Sequence, residues 1–533
     1  MNGENRLDGA SGRDRRLRRR GFLAGVAGVS AGAAVGRSPT VAHAAPTDGA
    51  GLHGVQLRGM YLPSRDRLAE GRFGAMFKKL PPFAPRDHLL EDLARTMVED
   101  QTVPDDTHLN TSSRLFAGFT FIGQFIDHDI TFDNTPLSQQ QADPYATINF
   151  RTPRYDLDSL YGRGPATEPQ FYDPADRDKL LVTPNVNGVL DVPRDSSGRA
   201  IIPEARNDEN LILVQLHKAI AQFHNRIVDY ARAQGIRGEW VFETARRLTR
   251  WHYQWAVTHD FLPRFVGDQL IGPTGTVYKE IAGKPPVITL NYYRPTNKDG
   301  RPFMPVEFSV AAYRFGHSLI RPFYVINQST LDRGGVPVFG QDGSVNAFNL
   351  NGGRPIPLNP ALSLDLVMEW KNILPVDPNF PARKPRRIDT KLSLPLSSLP
   401  GSVVPPPDPS IDLAVRNTLR GKHVGLPSGQ QIARAMKVPV LSNAALGLSN
   451  DPGWGGEAPL WYYILKEAEL PPNDAQRLGA VGGRIVAEVL VGLLQKDPNS
   501  YLYLDPAWRP SPPIAPAAGQ FGFVDLLRYA GAA

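Results

Sequence analysis

Hydrophobic positions along this chain recur mostly at three- and four-residue steps, the period of a helix that buries one face. Leu213, Leu216, Ile220, Phe223, Ile227 and Tyr230 keep that period and predict a long helix from about 208 to 233. Leu478, Val481, Ile485, Val489 and Leu493 predict another over about 477–495. Leu89–Met97 reads as a short helix, 239–265 as a helix pair rich in Trp, His and Phe, and 411–436 as helix broken at Gly425-Leu426-Pro427. A further stripe, Val306, Val310, Tyr313, His317 and Ile320, follows Pro305, a residue suited to a first helical turn. Between Gly188 and Ile202 the Asn, Gly, Asp and Ser residues predict turns between short strands.

The remaining segments are polar or irregular. Residues 45–83 have weak periodicity and are expected to wrap the surface as an arm, and Asp133–Asn149 reads as a Gln-rich loop. Residues 374–409, with Pro405-Pro406-Pro407, read as an irregular surface excursion. No repeat is evident, and no low-complexity linker separates two complete patterns. The fold expected is therefore mainly α: one large helical domain over 45–533 with few short strands and long loops, an arm at 45–110 and a core at about 111–504.

Residues 1–44 break the pattern. Arg15, Arg16, Arg18, Arg19 and Arg20 precede Gly21-Phe22-Leu23, an Ala/Gly/Val run continues to about Val35, and Ala42-His43-Ala44 has the A-x-A form of a cleavage site. The Arg19-Arg20-Gly21-Phe22-Leu23 core resembles the twin-arginine export motif, which implies the twin-arginine machinery as a partner and a secreted, periplasmic or extracellular location. The apolar run is shorter than the roughly 20 residues that span a bilayer, so no stable membrane anchor is expected after cleavage. This segment carries a net charge of +5 and leaves only +1 of the chain's +6 to the rest, so the basic balance gives no case for nucleic-acid binding. The chain has no cysteine, which excludes disulfides and thiolate metal sites.

Candidate chemistry concentrates in a few places. Gly123-Gln124-Phe125-Ile126-Asp127-His128-Asp129 sits in the apolar run Leu115–Phe132, where charged groups are costly to bury without partners. On a helix Gln124, Asp127 and His128 share one face while Asp129 points about 100° away. The triplet is either a core histidine satisfied by its neighbours or part of a site. In Thr152-Pro153-Arg154-Tyr155-Asp156-Leu157-Asp158 the side chains of Thr152, Asp156 and Asp158 offer hard oxygen ligands of the kind Ca²⁺ prefers, and Asp129 would complete them; a solvated loop is the plain alternative. Arg206 and Glu209 stand at the mouth of the long helix, where capping explains the acids and not Arg206. His317 lies on its apolar stripe with Arg314 one turn before and Gly316 beside it, either packed in the core or aimed at a flat ligand.

Taken in order, these motifs resemble the animal-type haem peroxidases of the peroxidase-cyclooxygenase superfamily, over roughly 114–504. The 123–129 segment is similar to the family's distal helix and Asp156-Leu157-Asp158-Ser159-Leu160-Tyr161-Gly162 to its calcium loop. Arg206-Asn207-Asp208-Glu209 is similar to its distal arginine with a haem-linking glutamate, Tyr313-Arg314-Phe315-Gly316-His317 to its proximal helix and Asn417-Thr418-Leu419-Arg420 to its supporting element. The resemblance implies haem b and Ca²⁺ as cofactors. It also implies a peroxidase that reduces hydrogen peroxide and oxidises a halide, thiocyanate or phenol through a ferryl intermediate.

His128 would be the acid–base group, Arg206 the cation that stabilises charge on the departing oxygen, and Gln124 the holder of the water network. His317 would ligate the haem iron, Asn417 would accept its other ring proton, and Arg314 and Arg420 would hold the propionates. Asp127 and Glu209 match the positions of haem ester links; Asn210, next in the chain, excludes a methionine sulfonium link. Asp129, Thr152, Asp156 and Asp158, with the carbonyls of Thr152 and Arg154, would bind calcium. Two alternatives stand beside this reading. A fatty-acid dioxygenase of the same superfamily uses a tyrosine three residues before the proximal histidine, where this chain has Arg314 and keeps Tyr313 one residue off. A matrix or adhesion protein would keep the fold without catalysis.

Overall fold

Helices form where the apolar stripes are longest: α1 (Asp87–Thr96), α2 (Gly118–Ile130), α3 (Leu211–Ala233), α4 (Trp240–Ala256), α5 (Leu413–His423), α6 (Gly429–Met436), α7 (Leu460–Glu469), α8 (Ala480–Lys496) and α9 (Phe523–Ala530). The computed structural model describes residues 72–99, 108–132, 149, 151–185, 188–196, 198–296, 302–339, 366–399 and 410–533. Of the two units into which the chain divides, Met1–Ala45 lies outside these residues, so the expected export signal does too, and the description concerns Pro46–Ala533. The loop expected at 133–149 also lies outside, apart from Asn149.

The architecture is mainly α, with α3 at its centre packed on α2, α4 and α9. Leu213, Leu216, Ile220, Phe223 and Ile227 of α3 are all buried, as their spacing predicts. The helix begins at Leu211 rather than near 208. Asn210 accepts from the Ile212 and Leu213 N–H groups at 2.9 and 3.2 Å and so caps it. Asp208 is engaged instead by Arg194 and by the Ala200 N–H, each at 3.0 Å, within a 3₁₀ turn at Ala205–Asp208. The pair expected at 239–265 is one helical run, in which a π turn at Val257–Phe261 joins α4 to Leu262–Val266. The helices α7 and α9 have no counterpart in the sequence reading. No helix among the described residues is long and apolar enough to cross a membrane.

Strands are short. Thr183–Pro184 pairs antiparallel with Leu190–Asp191, and Arg194 bridges Ala200, in the region expected to hold turns and strands. Tyr278–Ile281 and Lys284–Ile288 add a hairpin.

Three irregular segments differ from expectation. From residue 72 the arm enters the core: Phe73 is buried, Phe73–Gly74 pairs in parallel with Met304–Pro305, and the Met76 and Phe77 N–H groups donate to the Glu307 carboxylate at about 2.9–3.0 Å. Residues 374–399 are irregular but not a surface excursion. Their backbone pairs with 97–117 (Leu392 N–H to Met97 O, 2.7 Å; Ala117 N–H to Arg383 O, 2.9 Å), and buried Arg386 meets Glu99 at 2.5 Å. Proline removes donors there, and the amides that remain are satisfied by another segment of the chain. The triple proline at 405–407 lies outside the described residues. The stripe at 306–320 is not an α-helix: a π turn at Glu307–Ala311 passes into a 3₁₀ run at Ala312–Leu319, with Ala311 swung to φ −130° and ψ −71° at the junction.

Candidate active site

The 13-residue helix α2 carries the Gln124, Asp127 and His128 face and sends Asp129 elsewhere, as the helical spacing predicts. Gln124 and Asp127 remain partly exposed while His128 and Asp129 are buried. The Nδ1–H of His128 donates to Asn207 Oδ1 at 2.9 Å. Asp127 accepts from the Thr131 hydroxyl at 2.8 Å, and burial raises its carboxyl above the ordinary range.

Arg206 lies in the 3₁₀ turn and ties that turn to the end of α2. Its Nη2 donates to the carbonyls of His128 and Thr131 at 2.9 and 2.8 Å, and its Nε and Nη2 grip the two Glu204 oxygens at 3.0 and 2.9 Å. Its guanidinium also sits 4.5 Å from the centre of the Phe132 ring. Glu204 is shared with Arg151, whose Nε and Nη2 reach it at 2.8 and 2.5 Å. Burial alone would raise Glu204, but Arg151 and Arg206 overcome it and hold the carboxyl well below the usual carboxylate range.

Arg151 continues the network into the acidic loop, meeting Asp158 at 3.2 Å. Oxygen atoms of Asp129, Asp156 and Asp158 all lie within 4.8 Å of one another. Asp129 is oriented by the Ser159 hydroxyl at 2.7 Å and the Leu157 N–H at 3.3 Å, and Leu157 takes a left-handed conformation at φ +55° to make that turn. Thr152 adds its hydroxyl 3.4 Å from Asp156, and its carbonyl accepts from the Arg154 N–H at 2.7 Å. Burial, and then the charges of Asp158 and Asp156, push the Asp129 carboxyl well above its ordinary value. Three crowded carboxylates, with Arg151 at Asp158 and Arg250 at the Asp156 carbonyl, are a donor set suited to a divalent, oxygen-seeking cation.

On the other side of the site, the 3₁₀ geometry stacks Arg314 and His317, three apart, on one edge. Both meet Asn417 of α5: Arg314 Nη1 donates to Asn417 Oδ1, and Asn417 Nδ2 donates to His317 Nδ1 at 2.8 Å. The expected partner is present but the polarity is reversed. Arg314 has only donors, so it takes the amide oxygen and the NH₂ group is left facing the histidine. Trp461 of α7 donates to the Arg314 carbonyl at 3.2 Å and stands with its ring 6.5 Å from that of His317. Arg420 lies one turn after Asn417 on α5, partly exposed, as are Glu209, Arg314, Gly316 and His317. A Cβ on Gly316 would meet no atom within 4 Å. Tyr313 faces away from that edge: its hydroxyl donates to the Gly123 carbonyl of α2 at 3.1 Å and its ring stacks on Phe308 at 4.7 Å.

Several residues of this site were not foreseen. Glu204, Asn207 and Arg151 adjoin motif residues in sequence, and a charge flanking Arg206 or Thr152 was the available signal. His217 stands four residues after Leu213, on the buried face of α3, where a polar residue needs a partner. Trp461 carried no such signal.

The family described as animal haem peroxidase matches residues 135–445, more than half the chain; Gln124–Asp129 precede that span. A stretch of 151 residues is 28% identical to chorion peroxidase of Aedes aegypti and covers 26% of this chain and 18% of that protein's length. Among solved structures, Peroxidase A of Dictyostelium discoideum superposes with a TM-score of 0.53 at 17% identity, over 86% of this chain and 93% of that one. A fatty acid α-dioxygenase of Arabidopsis thaliana superposes with a TM-score of 0.53 at 14% identity, over 80% of this chain and 74% of that one. These two likenesses are of fold.

Proposed function

Because the chain belongs to the animal haem peroxidase family, we propose that it reduces hydrogen peroxide and oxidises a small reductant such as a halide, thiocyanate or a phenol. The observation that carries this reading is the junction of α2 with the Ala205–Asp208 turn, where Arg206 donates to the carbonyl of His128 and Asn207 accepts from its ring. A histidine and an arginine fixed in one buried network are the acid–base group and the fixed cation that cleavage of an O–O bond requires.

The residues present suit a haem. Asp127, Glu209, Arg314, Gly316, His317 and Arg420 are partly exposed among buried neighbours, and a Cβ on Gly316 would meet no atom within 4 Å. His317 Nε2 would hold the iron once an acceptor, the Asn417 oxygen turned over, faces its Nδ1–H; Arg314 and Arg420 would hold the propionates, and Asp127 and Glu209 would be the positions of ester links. When bound, haem supplies the redox centre that takes oxidising equivalents from peroxide and passes them to the reductant. His128 Nε2 accepts a proton from one peroxide oxygen and returns it to the other, which leaves as water. Arg206 offsets the negative charge on that departing oxygen, and Gln124 orients water on the same face. Glu204 keeps the Arg206 guanidinium in place rather than free to swing.

Asp129, Thr152, Asp156 and Asp158, with the Thr152 and Arg154 carbonyls, would bind Ca²⁺. The segment 1–44 would route the folded protein through the twin-arginine machinery to a secreted or periplasmic location.

The test is a purified protein with a Soret band that oxidises a phenol, bromide, iodide or thiocyanate only when peroxide is added. Protein that carries haem and stays inert towards all of them would overturn the proposal. The fatty-acid dioxygenase reading is favoured by likenesses of fold to solved fatty acid α-dioxygenases. Oxygenated products from a fatty acid, formed without added peroxide, would establish it. Arg314 on the edge of His317, with Tyr313 turned to α2, supports the peroxidase instead.

A further inference from the structure

Behind His128 stands a second histidine that the mechanism has not used. Asn207 accepts from His128 Nδ1–H through Oδ1 at 2.9 Å, and its Nδ2 donates to His217 Nδ1 at 3.1 Å. All three side chains are buried, and they come from three elements: α2, the 3₁₀ turn and α3. The Asn207 backbone is itself held, its N–H donating to the Glu204 carbonyl at 3.0 Å.

An amide has one accepting and one donating end, so its orientation determines what each neighbouring ring must do. With oxygen towards His128, the neutral ring carries its proton on Nδ1 and keeps a lone pair on Nε2, the form that can take a proton from peroxide. With the amide turned over, NH₂ would face Nδ1, the proton would sit on Nε2, and the base would be disabled. Burial lowers His217 to about 4, against the nearby charges of Glu204 and Asp208, so at neutral pH it is uncharged, and with its single ring proton on Nε2 its Nδ1 accepts from the Asn207 amide. The Phe125 ring stands 6.3 Å from that of His217.

We propose that Asn207 and His217 are positioning residues for peroxide reduction: Asn207 keeps the ring proton of His128 on Nδ1, and His217, in the tautomer that carries its proton on Nε2, fixes which end of the Asn207 amide faces His128. This rests on His128 being the acid–base group. A set of polar groups that merely satisfy one another would hold the same atoms together without selecting a tautomer for catalysis, and the two are separable.

The haem-loaded protein is compared with Asn207→Leu, His217→Leu, His217→Asn, Asn207→Asp and the double variant Asn207→Asp/His217→Leu. One readout is the rate of the first peroxide step at the Soret band. The other is the tautomer of His128 by ¹⁵N NMR in the diamagnetic carbon monoxide form, or in the protein as isolated if haem is not retained. Asn207→Leu is expected to slow the first step by about 10²-fold or more, the scale of general acid–base transfer; a base held in the wrong tautomer can lose about 10⁴. His217→Leu removes one neutral hydrogen bond and is expected to cost roughly three- to tenfold, with a mixture of tautomers in the NMR spectrum. His217→Asn keeps an acceptor near the Nδ1 position and is expected to recover most of that loss. On the Asn207→Asp background, His217→Leu is expected to cost about twofold or less, because both carboxylate oxygens accept and no orientation remains to be fixed. An equal penalty for His217→Leu in both backgrounds, or a His128 proton on Nε2 in the unaltered protein, would overturn the proposal. Loss of peroxide reactivity in the unaltered haem-loaded protein would instead remove the functional reading, and the NMR result would still decide the tautomer.

Discussion

Two histidines in this protein are each held at Nδ1 by an asparagine amide, and the two amides face opposite ways. On the α2 side, Asn207 turns its oxygen to His128; on the α5 side, Asn417 turns its NH₂ to His317. What differs is the amide's other neighbour. His217 offers Asn207 an acceptor, whereas Arg314 offers Asn417 only donors. The state of each imidazole is therefore set one residue beyond the residue it touches. The two sides also differ in how far they are anchored. His128 belongs to a continuous charged network from Arg206 through Glu204 and Arg151 to Asp158, while His317 relies on Asn417 and the aromatic wall of Trp461.

That contrast predicts different losses when each histidine is removed. His128→Ala is expected to keep haem, read as an intact Soret band, and to slow the reaction with peroxide by about 10²–10⁴-fold, the range of general acid–base catalysis. His317→Ala is expected to lose or weaken haem itself. Stopped-flow mixing with peroxide and haem content per chain separate the two. Equal haem loss in both variants would break the comparison.

A smaller effect follows from the charged network, which joins the His128 side to the acidic loop. A cation bound to the folded state alone stabilises it by about 2.7 kcal/mol at a concentration a hundred times Kd. Removing calcium with a chelator is expected to lower the unfolding temperature and slow the peroxide step while leaving the Soret position, set by the His317 side, unchanged. Calorimetry and absorption spectra of one sample test both. A protein indifferent to chelator and to added calcium would remove the metal from this loop.

The sequence made some of this legible and hid the rest for physical reasons. The face of α2, the stripe of α3 and the Asp156-Leu157-Asp158 loop were readable because helical period and oxygen-rich spacing are local properties. The start of α3 was misplaced by three residues because Asp208, a good cap by type, is engaged by Arg194 from a distant turn. The stripe at 306–320 buries Val306, Val310 and Tyr313 but leaves His317 and Ile320 partly exposed, and its helix type differs, since periodicity does not distinguish α from a π turn followed by 3₁₀. Trp461 acts through the Arg314 carbonyl, 147 residues away, and Glu204 joins Arg151, 53 residues away, contacts that spacing cannot reveal. The direction of the Asn417 amide belongs to the same class, because it is fixed by Arg314, about a hundred residues away.

That amide carries the finest test of the comparison. With NH₂ at Nδ1, the neutral ring of His317 carries its proton on Nε2, whereas an iron ligand needs the Nε2 lone pair. Binding iron therefore requires the proton on Nδ1 and an acceptor facing it. In Asn417→Asp, one carboxylate oxygen can hold Arg314 while the other accepts from Nδ1–H, so the ligating tautomer is favoured without turning an amide over. This variant is expected to bind haem at least as tightly as the unaltered protein and to lower the iron's reduction potential, because a carboxylate partner makes the imidazole more basic. Asn417→Leu offers no acceptor and is expected to weaken haem affinity by about 10–100-fold, the usual cost of losing a residue that orients a metal ligand. Haem titration at the Soret band, with redox potentiometry of the loaded forms, gives both quantities. If Asn417→Asp bound haem more weakly than Asn417→Leu, the carboxylate would not be serving Nδ1, and the polarity difference between the two sides would have no bearing on ligation.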